Sequence, residues 1–439
     1  MSFDYPEFFV GDVCSVGDGA HSKVVRVQEG IPYLTSKNIG QGVLKLDNYD
    51  CISDVDFNRL FPVKSSATRR PIAGDILIGI IGTFGNAYLY KDGDCFGFSS
   101  SIGIIRPNKE ILNSKFLYYV LTSQKFRTTH LNYNAGSVQG YTNIPTIKKL
   151  KVPIPSLTEQ KEIASILSAL DNRISLLRET NTTLEAIAQT LFKSWFVDFD
   201  PVKAKAEGRL PEGMDEATAA LFPSEFEESA LGLIPKGWRV GALGDVAFLN
   251  PESWTAKNHP KFIEYIDLAN TKDNQIASTT NYVFEEAPSR AKRVLRDGDT
   301  IIGTVRPSNR SFAFIHNPVG GLTGSTGFAV LRPKIIENTA FTFFASTSDT
   351  SIDYLGHVAD GGAYPAVRPE VVVNIEVVLP DIEIMRAFNS IAAVLLEKIG
   401  ENEQQSQTLT TLRDTLLPRL ISGQLRLNQA QEIMDEVGA

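Results

Sequence analysis

Gly74-Asp75-Ile76-Leu77-Ile78-Gly79 returns later in the chain as Gly298-Asp299-Thr300-Ile301-Ile302-Gly303. A second stretch, Ser99 to Pro107 (SSSIGIIRP), is likewise matched by Ser325 to Pro333 (STGFAVLRP). The matches share an offset of about 225 residues, and self-similarity at a fixed offset is the sign of a repeated structural unit. Two copies of this length are too few for a solenoid, so they predict a duplication related by a pseudo-twofold axis.

The sequence around these matches predicts strands. Short runs of β-branched residues are broken by glycine, asparagine and proline, and each repeat closes on a proline-terminated run, Val152–Pro155 or Val377–Pro380. This pattern is typical of short strands joined by turns. We therefore predict an α+β fold with two homologous strand-rich blocks, block 1 at residues 1–156 and block 2 at residues 235–381.

Each block is followed by a long amphipathic helix. Apolar residues recur at alternating spacings of four and three, which predicts a coiled-coil seam. We place the helices at residues 157–200 and 382–422, with an acidic linker at 201–234 and a C-terminal tail at 423–439. The seam of the first helix consists of Ile163, Leu167, Leu170, Ile174, Leu177, Asn181, Leu184, Ala188, Leu191 and Trp195. The seam of the second consists of Phe388, Ala392, Leu395, Ile399, Asn402, Ser406, Leu409, Leu416 and Leu420, with Arg413 interrupting the pattern beside Leu412.

Two apolar stripes in one chain can hide each other from water. Because the duplication relates the two helices, we predict that they pair antiparallel within the chain and hold the blocks at opposite ends of a spacer. Pairing between two chains in a dimer is the alternative. Polar residues in a seam fix its register at a cost in stability, and our hypothesis is that this layer sets the separation of the blocks. The register positions are Leu177, Asn181, Asn402 and Ser406.

The composition excludes several classes of protein. Hydrophobic residues make up 43% and charged residues 21%, as in ordinary globular proteins. No apolar stretch approaches the roughly 20 residues that span a bilayer, and Met1-Ser2-Phe3-Asp4 does not resemble a signal peptide. The 3 cysteines and 5 histidines are scattered. We therefore expect a cytoplasmic protein with reduced thiols, no metal site and no membrane association.

The formal net charge of −8 is distributed unevenly. Residues 1–155 hold 17 lysines and arginines against 13 acidic residues, and residues 235–380 hold 14 against 15. The remaining segments hold 12 against 23. The blocks are therefore basic to neutral and the connectors acidic, which predicts that blocks and connectors meet different partners.

Familiar catalytic motifs are absent from the sequence. It contains no GxxxxGK[ST], GxSxG, HExxH or CxxC motif, and no Asn/Asp-Pro-Pro-aromatic tetrapeptide of the amino-methyltransferases. The glycines between Gly79 and Gly85 lack the following helix and acidic residue of a dinucleotide site, so we interpret them as a turn between strands. The sequence predicts a binding protein without catalytic residues.

Both blocks carry basic residues beside glycine-flanked polar segments. Lysine and arginine would contact DNA phosphates, and glutamine and asparagine on a flexible loop can pair with adenine edges. For any single cluster, a solvated face or an ordinary turn is the alternative, but recurrence in both repeats favours binding. The DNA-binding candidates in block 1 are Lys64, Arg69, Arg70, Lys125, Arg127, Ser137, Gln139, Tyr141 and Asn143. Those in block 2 are Arg290, Lys292, Arg293, Arg306, Arg310 and Tyr364.

Four stretches, taken in order, carry a family resemblance. They are Asp18-Gly19-Ala20-His21, then Pro153-Ile154-Pro155 leading into Glu159-Gln160-Lys161-Glu162-Ile163, then Ser194-Trp195-Phe196-Val197-Asp198-Phe199-Asp200-Pro201-Val202, and Leu231-Gly232-Leu233-Ile234-Pro235-Lys236-Gly237-Trp238. With the duplication and the helices, the chain resembles the specificity (S) subunits of type I DNA restriction–modification systems over nearly its whole length. It departs from them at Tyr5-Pro6-Glu7-Phe8, where an Ile-Pro-x-Gly-Trp opening is expected.

The resemblance implies a division of labour. Each block would be a target recognition domain that reads one half of a split sequence in double-stranded DNA, and the helices would be the ruler between them. Two methylation subunits would transfer a methyl group from S-adenosylmethionine to adenine N6, and motor–nuclease restriction subunits would use ATP and Mg²⁺. The chain itself would bind no cofactor, and its helices and acidic linker would dock the methylation subunits.

Other functions compete with this interpretation. One is a DNA-binding scaffold or regulator, and another is a coiled-coil adaptor for protein partners, in both cases without enzyme partners. A third, an enzyme of its own, is disfavoured by the missing motifs.

Overall fold

The computed structural model describes residues 5–64, 68–82, 85–132, 141–362 and 365–437. The chain divides into two compact units. Unit 1 comprises residues 1–176 and 406–439, and unit 2 comprises residues 177–405. Within the described ranges, no helix is both long enough and apolar enough to cross a membrane.

Block 1 lies in unit 1 and combines short strands with short helices. Its strands are β1 (Glu7–Phe9), β2 (Cys14–Asp18), β3 (Arg26–Val27), β4 (Ile31–Leu34), β5 (Asp50–Ile52), β6 (Ile76–Gly79), β7 (Ala87–Leu89), β8 (Gly97–Phe98), β9 (Ile102–Pro107) and β10 (Lys151–Pro153). Its helices are α1 (Val10–Val13), α2 (Asp54–Leu60), α3 (Ser114–Thr122), α4 (Gln124–Asn132) and α5 (Ile144–Lys148).

Two sheets form the core of block 1. One is antiparallel with the order β2-β9-β6-β7, and the other has the order β3-β5-β4-β8, in which β4 and β8 run parallel. A separate pairing of β1 with β10 joins the start of the block to its end. Side chains from both sheets, among them Leu34, Leu77, Phe98 and Ile104, are fully buried in one cluster. Strands β6 and β9 are buried at successive positions, and their side chains contribute to a core shared by the two sheets.

The chain then passes through the first spacer helix and the linker. The helix is α6 (Leu157–Phe196). The linker holds α7 (Asp200–Ala206), α8 (Glu216–Leu221), β11 (Phe226–Ser229) and β12 (Gly232–Pro235), with β11 and β12 paired as a hairpin. The acidic segment is therefore folded within the described residues rather than extended.

Block 2 lies in unit 2. Its strands are β13 (Arg239–Ala242), β14 (Ala247–Leu249), β15 (Phe262–Ile266), β16 (Thr271–Lys272), β17 (Gln275–Ile276), β18 (Thr280–Val283), β19 (Ala291–Val294), β20 (Thr300–Gly303), β21 (Phe312–Phe314), β22 (Leu322–Ser325), β23 (Phe328–Pro333) and β24 (Glu376–Leu379). Its helices are α9 (Leu243–Val246), α10 (Thr339–Thr347), α11 (Asp349–Val358) and α12 (Pro369–Val373), followed by α13 (Ile382–Ile421) and α14 (Leu427–Val437).

Block 2 repeats the topology of block 1. The sheet β14-β23-β20-β21 matches β2-β9-β6-β7 in order and direction, and the parallel pair β15/β22 matches β4/β8. Strand β13 pairs with β24 as β1 pairs with β10. The α+β fold and the duplication predicted from the sequence are both confirmed.

The matched motifs meet as a buried ion pair in each block. In block 1, Arg106 donates from Nε to Asp75 Oδ1 at 2.9 Å and from Nη2 to Asp75 Oδ2 at 2.8 Å. In block 2, Arg332 donates from Nε to Asp299 Oδ1 at 2.8 Å and from Nη2 to Asp299 Oδ2 at 2.9 Å. The aspartate side chains are 1% and 0% exposed. The hydrogen bonds that the two arginines donate to these aspartates raise the pKa of both arginines, so each guanidinium stays charged.

Helices α6 and α13 pack together in both units with antiparallel direction. In unit 1, Asp171 of α6 contacts Arg413 of α13. In unit 2, Asn402 Nδ2 donates to Asn181 Oδ1 at 2.8 Å, and Asn181 Nδ2 donates to the carbonyl of Ile399 at 3.0 Å. The seam residues of both helices are largely buried. Antiparallel pairing within the chain, rather than between two chains, is thus confirmed for these contacts.

An aromatic cluster closes the end of α6 in unit 2. The ring of Phe196 lies 4.9 Å from Phe388 of α13 and 6.0 Å from Trp238 of block 2, centroid to centroid. Trp195 packs edge-on against Phe222 of the linker at 5.0 Å. Phe199 then adopts a left-handed conformation with φ of +56°, which ends the helical run before α7. The motif Ser194–Val202 therefore joins helix, linker and block in one core.

Breaking the ion pair should destabilise block 1. We expect Asp75→Asn to lower the free energy of unfolding by about 2 kcal/mol, because it removes the charged partner of the Arg106 guanidinium, whose side chain is only 31% exposed. Chemical denaturation of the chain would measure the loss. The control is Asp50→Asn, the same change at an exposed ion pair with Arg26, for which we expect little effect. Equal losses in both variants would contradict the assignment.

The asparagine pair in the seam allows a second test of stability. Asn181→Leu removes the acceptor of the buried Asn402 amide, and an unsatisfied buried amide costs about 1–3 kcal/mol. We expect the double variant Asn181→Leu/Asn402→Leu to recover that loss, because two apolar side chains can pack in the seam. Urea unfolding of the wild type, both single variants and the double variant would complete the cycle. A double variant less stable than either single one would be inconsistent with the pairing.

Candidate nucleic-acid interface

The sheets β2-β9-β6-β7 and β14-β23-β20-β21 each have two ends along the strand direction, and polar residues lie at both ends. In block 2, β20 and β23 pair from Thr300 with Leu331 at one end to Gly303 with Phe328 at the other. The ion pair lies at the first end. We call the other end, where the chain leaves β20, the loop end of block 2. Block 1 has the same arrangement, with its loop end where the chain leaves β6 at Gly79.

A glycine-flanked segment meets the loop end in both blocks. In block 1, Ile81 forms a bridge with Tyr141, and Thr142 N donates to the carbonyl of Ile80 at 2.9 Å. In block 2, Val305 forms a bridge with Ala366. Tyr141 in block 1 and Ala366 in block 2 therefore take equivalent places in the two folds.

The structure places two block 2 candidates at its loop end. The side chain of Arg306 is exposed, its backbone is left-handed with φ of +49°, and its amide donates to the carbonyl of Pro365 at 2.7 Å. Arg290 is exposed, and its carbonyl accepts from Thr326 N just before β23. Arg290 Nε also donates to the hydroxyl of Tyr265 at 3.0 Å. Arg306 thus contacts Pro365 through its backbone, whereas Arg290 lies beside the start of β23, with its Nη2 4.0 Å from Asp267 Oδ2.

Arg310 is at the same loop but faces two carboxylates. Its Nε donates to Asp273 at 2.6 Å and its Nη1 donates to Asp349 at 2.8 Å. The guanidinium also lies 5.3 Å above the ring of Phe312. Both carboxylates belong to block 2 and balance the charge of Arg310 there. The two bonds hold the loop against Asp273, directly after β16, and against Asp349 of α11.

Lys292 and Arg293 belong to β19, the edge strand of the second sheet of block 2. The Lys292 side chain is exposed, whereas Arg293 is half-buried and donates from Nη1 to Ser253 Oγ at 3.3 Å. Burial lowers the pKa of Arg293. An exposed basic residue on an edge strand can reach a phosphate without losing an internal bond. Lys292 is therefore better placed than Arg293 to contact a DNA phosphate.

In block 1, Tyr141 is the candidate at the loop end, and its side chain is 44% exposed. Asn143, two residues later, accepts from Thr146 N at 2.9 Å and caps α5. Ser137, Gln139 and, in block 2, Tyr364 lie outside the described residues. The cap gives Asn143 a structural reason for being asparagine.

The remaining block 1 candidates lie apart from one another. Lys64 is exposed, and Arg70 donates to Asn58 Oδ1 at 3.0 Å and to the carbonyl of Phe61 at 2.9 Å. The carbonyl of Arg70 accepts from Arg106, so this residue belongs to the ion-pair end. On α4, Lys125 lies 3.8 Å from Glu7, and the guanidinium of Arg127 faces the side-chain amide of Gln41.

Arg69 lines a polar cleft of about 370 Å³ together with Lys148 and Asp18. Its Nε is buried and makes no hydrogen bond within the described part of the chain. Lys148 was missed by the sequence analysis, although the pair Lys148-Lys149 begins only 5 residues after Asn143. Lys37 was missed as well. It is exposed beside Ser36, whose hydroxyl donates to the carbonyl of Ile81 at the loop end.

The side chains at the two loop ends are of types that bind nucleic acid. The two loop ends present arginine, lysine, tyrosine and backbone amides on short turns, which suits contacts to phosphates and base edges. In the described ranges, no three His, Cys, Asp or Glu residues are grouped so that they could hold a metal ion.

Comparisons with known proteins point to one family. Residues 4–186 match the model of the type I restriction modification DNA specificity domain. The chain is 27% identical to the type I restriction enzyme HindI specificity subunit of Haemophilus influenzae, covering 80% of this chain and 86% of that protein. It is 25% identical to the MjaIX specificity subunit of Methanocaldococcus jannaschii, covering 73% and 71%.

A solved structure agrees on the fold. The S subunit of a type I restriction–modification system from M. genitalium superposes with a TM-score of 0.56 at 16% identity, covering 95% of this chain and 96% of that one. The family model, the relatives and the duplicated fold agree, and the chain belongs to the specificity (S) subunits of type I restriction–modification systems, the non-catalytic subunits that bind DNA sequence-specifically.

Proposed function

We propose that the chain reads a split double-stranded DNA sequence, with blocks 1 and 2 as target recognition domains for its two halves. The observation that carries this proposal is the recurrence of one fold with equivalent loop ends, at Ile81/Tyr141 and at Val305/Ala366. The sequences of the two loops differ, so each block would read different bases. A protein with two different readers calls for a target with two different half-sites.

The paired helices would set the distance between the half-sites. Readers on one face of a duplex meet half-sites separated by about one helical turn, 34–36 Å, or multiples of it. Helices α6 and α13 are each 40 residues long. Their register is supported by the Asn181–Asn402 bond, whose loss would allow the seam to slide.

The chemistry would reside in partner subunits. Two methylation subunits, one for each block, would transfer a methyl group from S-adenosylmethionine to adenine N6 after flipping the base out of the duplex. Restriction subunits would supply ATP- and Mg²⁺-dependent cleavage, and the complex would work in the cytoplasm. The acidic segments outside the blocks, with 12 basic against 23 acidic residues, support a separate docking surface for these partners.

Adenine methylation is the direct test. The chain and its methylation subunit would be expressed in a host that lacks other adenine methyltransferases, and single-molecule sequencing would map the modified bases. We expect one split motif, methylated on both strands, that disappears when the gene for this chain is deleted. A continuous motif would contradict two separate readers. An unchanged methylome, with the methylation subunit expressed, would favour the scaffold or adaptor function.

A loop-end arginine should contribute to DNA affinity. We expect Arg306→Asn in the assembled methyltransferase to weaken binding of the target duplex and to reduce the slope of log K against log salt by about 1, the value for one lost phosphate contact. Asparagine tolerates the left-handed backbone at this position. The control is Lys334→Asn, an exposed lysine directly after β23 at the ion-pair end of the same block. Identical salt slopes for both variants would argue against the loop end as the interface.

A further inference from the structure

Arg413, which interrupts the seam of the second helix, has a defined partner in the structure. Its Nη1 donates to Asp171 Oδ1 of α6 at 2.8 Å, and it also pairs with Asp414 at 2.7 Å. The side chains of Arg413 and Asp171 are only 27% and 32% exposed. An ion pair shielded to this degree is screened less by salt than a surface pair.

The same aspartate also holds block 1. Its other oxygen, Oδ2, accepts a hydrogen bond from the hydroxyl of Tyr119 at 2.7 Å. Tyr119 lies on α3 and is 5% exposed. Burial and the adjacent carboxylate raise the pKa of Tyr119, so its hydroxyl remains protonated and donates. One carboxylate thereby connects block 1, the first spacer helix and the second.

Block 1 is also attached to α6 at Gln160. This buried side chain accepts from Asn113 N at 2.8 Å and donates to the carbonyls of Ile111 and Pro155, both at 2.9 Å. Gln160 lies in the first turn of α6, and Asp171 lies about three turns further along, or about 16 Å. A single polar attachment would let block 1 pivot on α6. Two attachments about 16 Å apart, at Gln160 and Asp171, fix the angle between block 1 and the helix.

Unit 2 has an acid at a comparable place, but its surroundings differ. Glu185 of α6 accepts from the side chain of Asn274 of block 2 and from Gln189. Glu185 in turn acts on Glu403 of α13, which is another carboxyl group, and burial raises the pKa of both. The arginine whose charge acts on Glu185 is Arg310, which belongs to block 2 and not to α13. In unit 1, by contrast, an arginine of α13 pairs with the acid of α6, and a tyrosine of block 1 donates to the same acid.

We propose that Tyr119, Asp171 and Arg413 are positioning residues that set the angle between block 1 and the helix pair, and so determine which half-site spacing is accepted. The inference rests on the proposed bipartite reading. Adding one base pair between half-sites moves the second half-site by about 3.4 Å and rotates it by about 34°. If the connection is rigid, block 1 cannot turn to meet the rotated half-site. If the connection can pivot, block 1 can turn with the half-site and bind it.

The test compares target duplexes that differ only in spacing. The half-sites and the spacing come from the methylome of the wild-type complex. Duplexes with that spacing, one base pair fewer and one more are then methylated by the reconstituted methyltransferase. For Tyr119→Phe and Asp171→Asn we expect nearly unchanged rates at the correct spacing and a rise of up to about tenfold at the others, the factor associated with a lost bond to a charged group.

Tyr88→Phe is the matched control, because it removes a tyrosine hydroxyl that donates to an aspartate, Asp94, inside block 1 and leaves the bond from Tyr119 to Asp171 in place. We expect the wild-type spacing preference for this variant. Arg413→Leu tests the bond between the helices while keeping the seam apolar, and it should relax spacing in the same direction. Thermal unfolding of each variant separates loss of structure from loss of discrimination.

Unchanged spacing ratios in Tyr119→Phe, whose structure differs by one oxygen atom, would overturn the inference and leave the proposed function intact. A parallel fall in rate at all spacings would also overturn it, because that result indicates a general loss of stability. Failure of the proposed function is recognised earlier and separately, since the wild-type complex would then show no split methylated motif.

Discussion

A buried ion pair joins the two central strands of each block, and the architecture depends on it. Asp75 stands before β6 and Arg106 near the end of β9, while Asp299 and Arg332 take the same places in block 2. A shift of one residue between these strands would turn every side chain to the opposite face and leave two charges buried without partners. The ion pair therefore fixes the register, and the register places the loop at the other end of the sheet.

The fold could be predicted because the constraints that shape it leave local signals. Asp75 and Arg106 lie in the two stretches that recur as copies, since a bidentate buried pair tolerates little substitution. The seams of α6 and α13 are equally readable, because each helix must cover one apolar stripe. The strand order and the folded linker were beyond prediction, since pairings such as β15 with β22 join residues far apart in the chain.

The candidate site was harder to predict, because charge alone does not reveal a partner. Arg310 reads as a DNA contact in the sequence, yet Asp273 and Asp349, which balance it, are distant along the chain. The sequence predicts that Asn143 contacts a base, whereas in the structure its side chain caps α5. Arg306 and Tyr141, by contrast, lie where two matched loops meet. Under the proposed function these loop ends would contact DNA, and Arg306 and Tyr141 are the candidates that the structure places there.

The division of the chain has a consequence for biosynthesis. Unit 2 is one uninterrupted stretch, residues 177–405, whereas unit 1 needs residues 406–421 to complete the seam of its helix. Block 1 leaves the ribosome first, and the part of α6 in unit 1 is therefore made well before residues 406–421, with which it pairs through Asp171 and Arg413. During that interval the stripe is open to the equivalent helix of another nascent chain. Exchange of helices between neighbouring nascent chains on one messenger therefore competes with pairing within the chain during that interval.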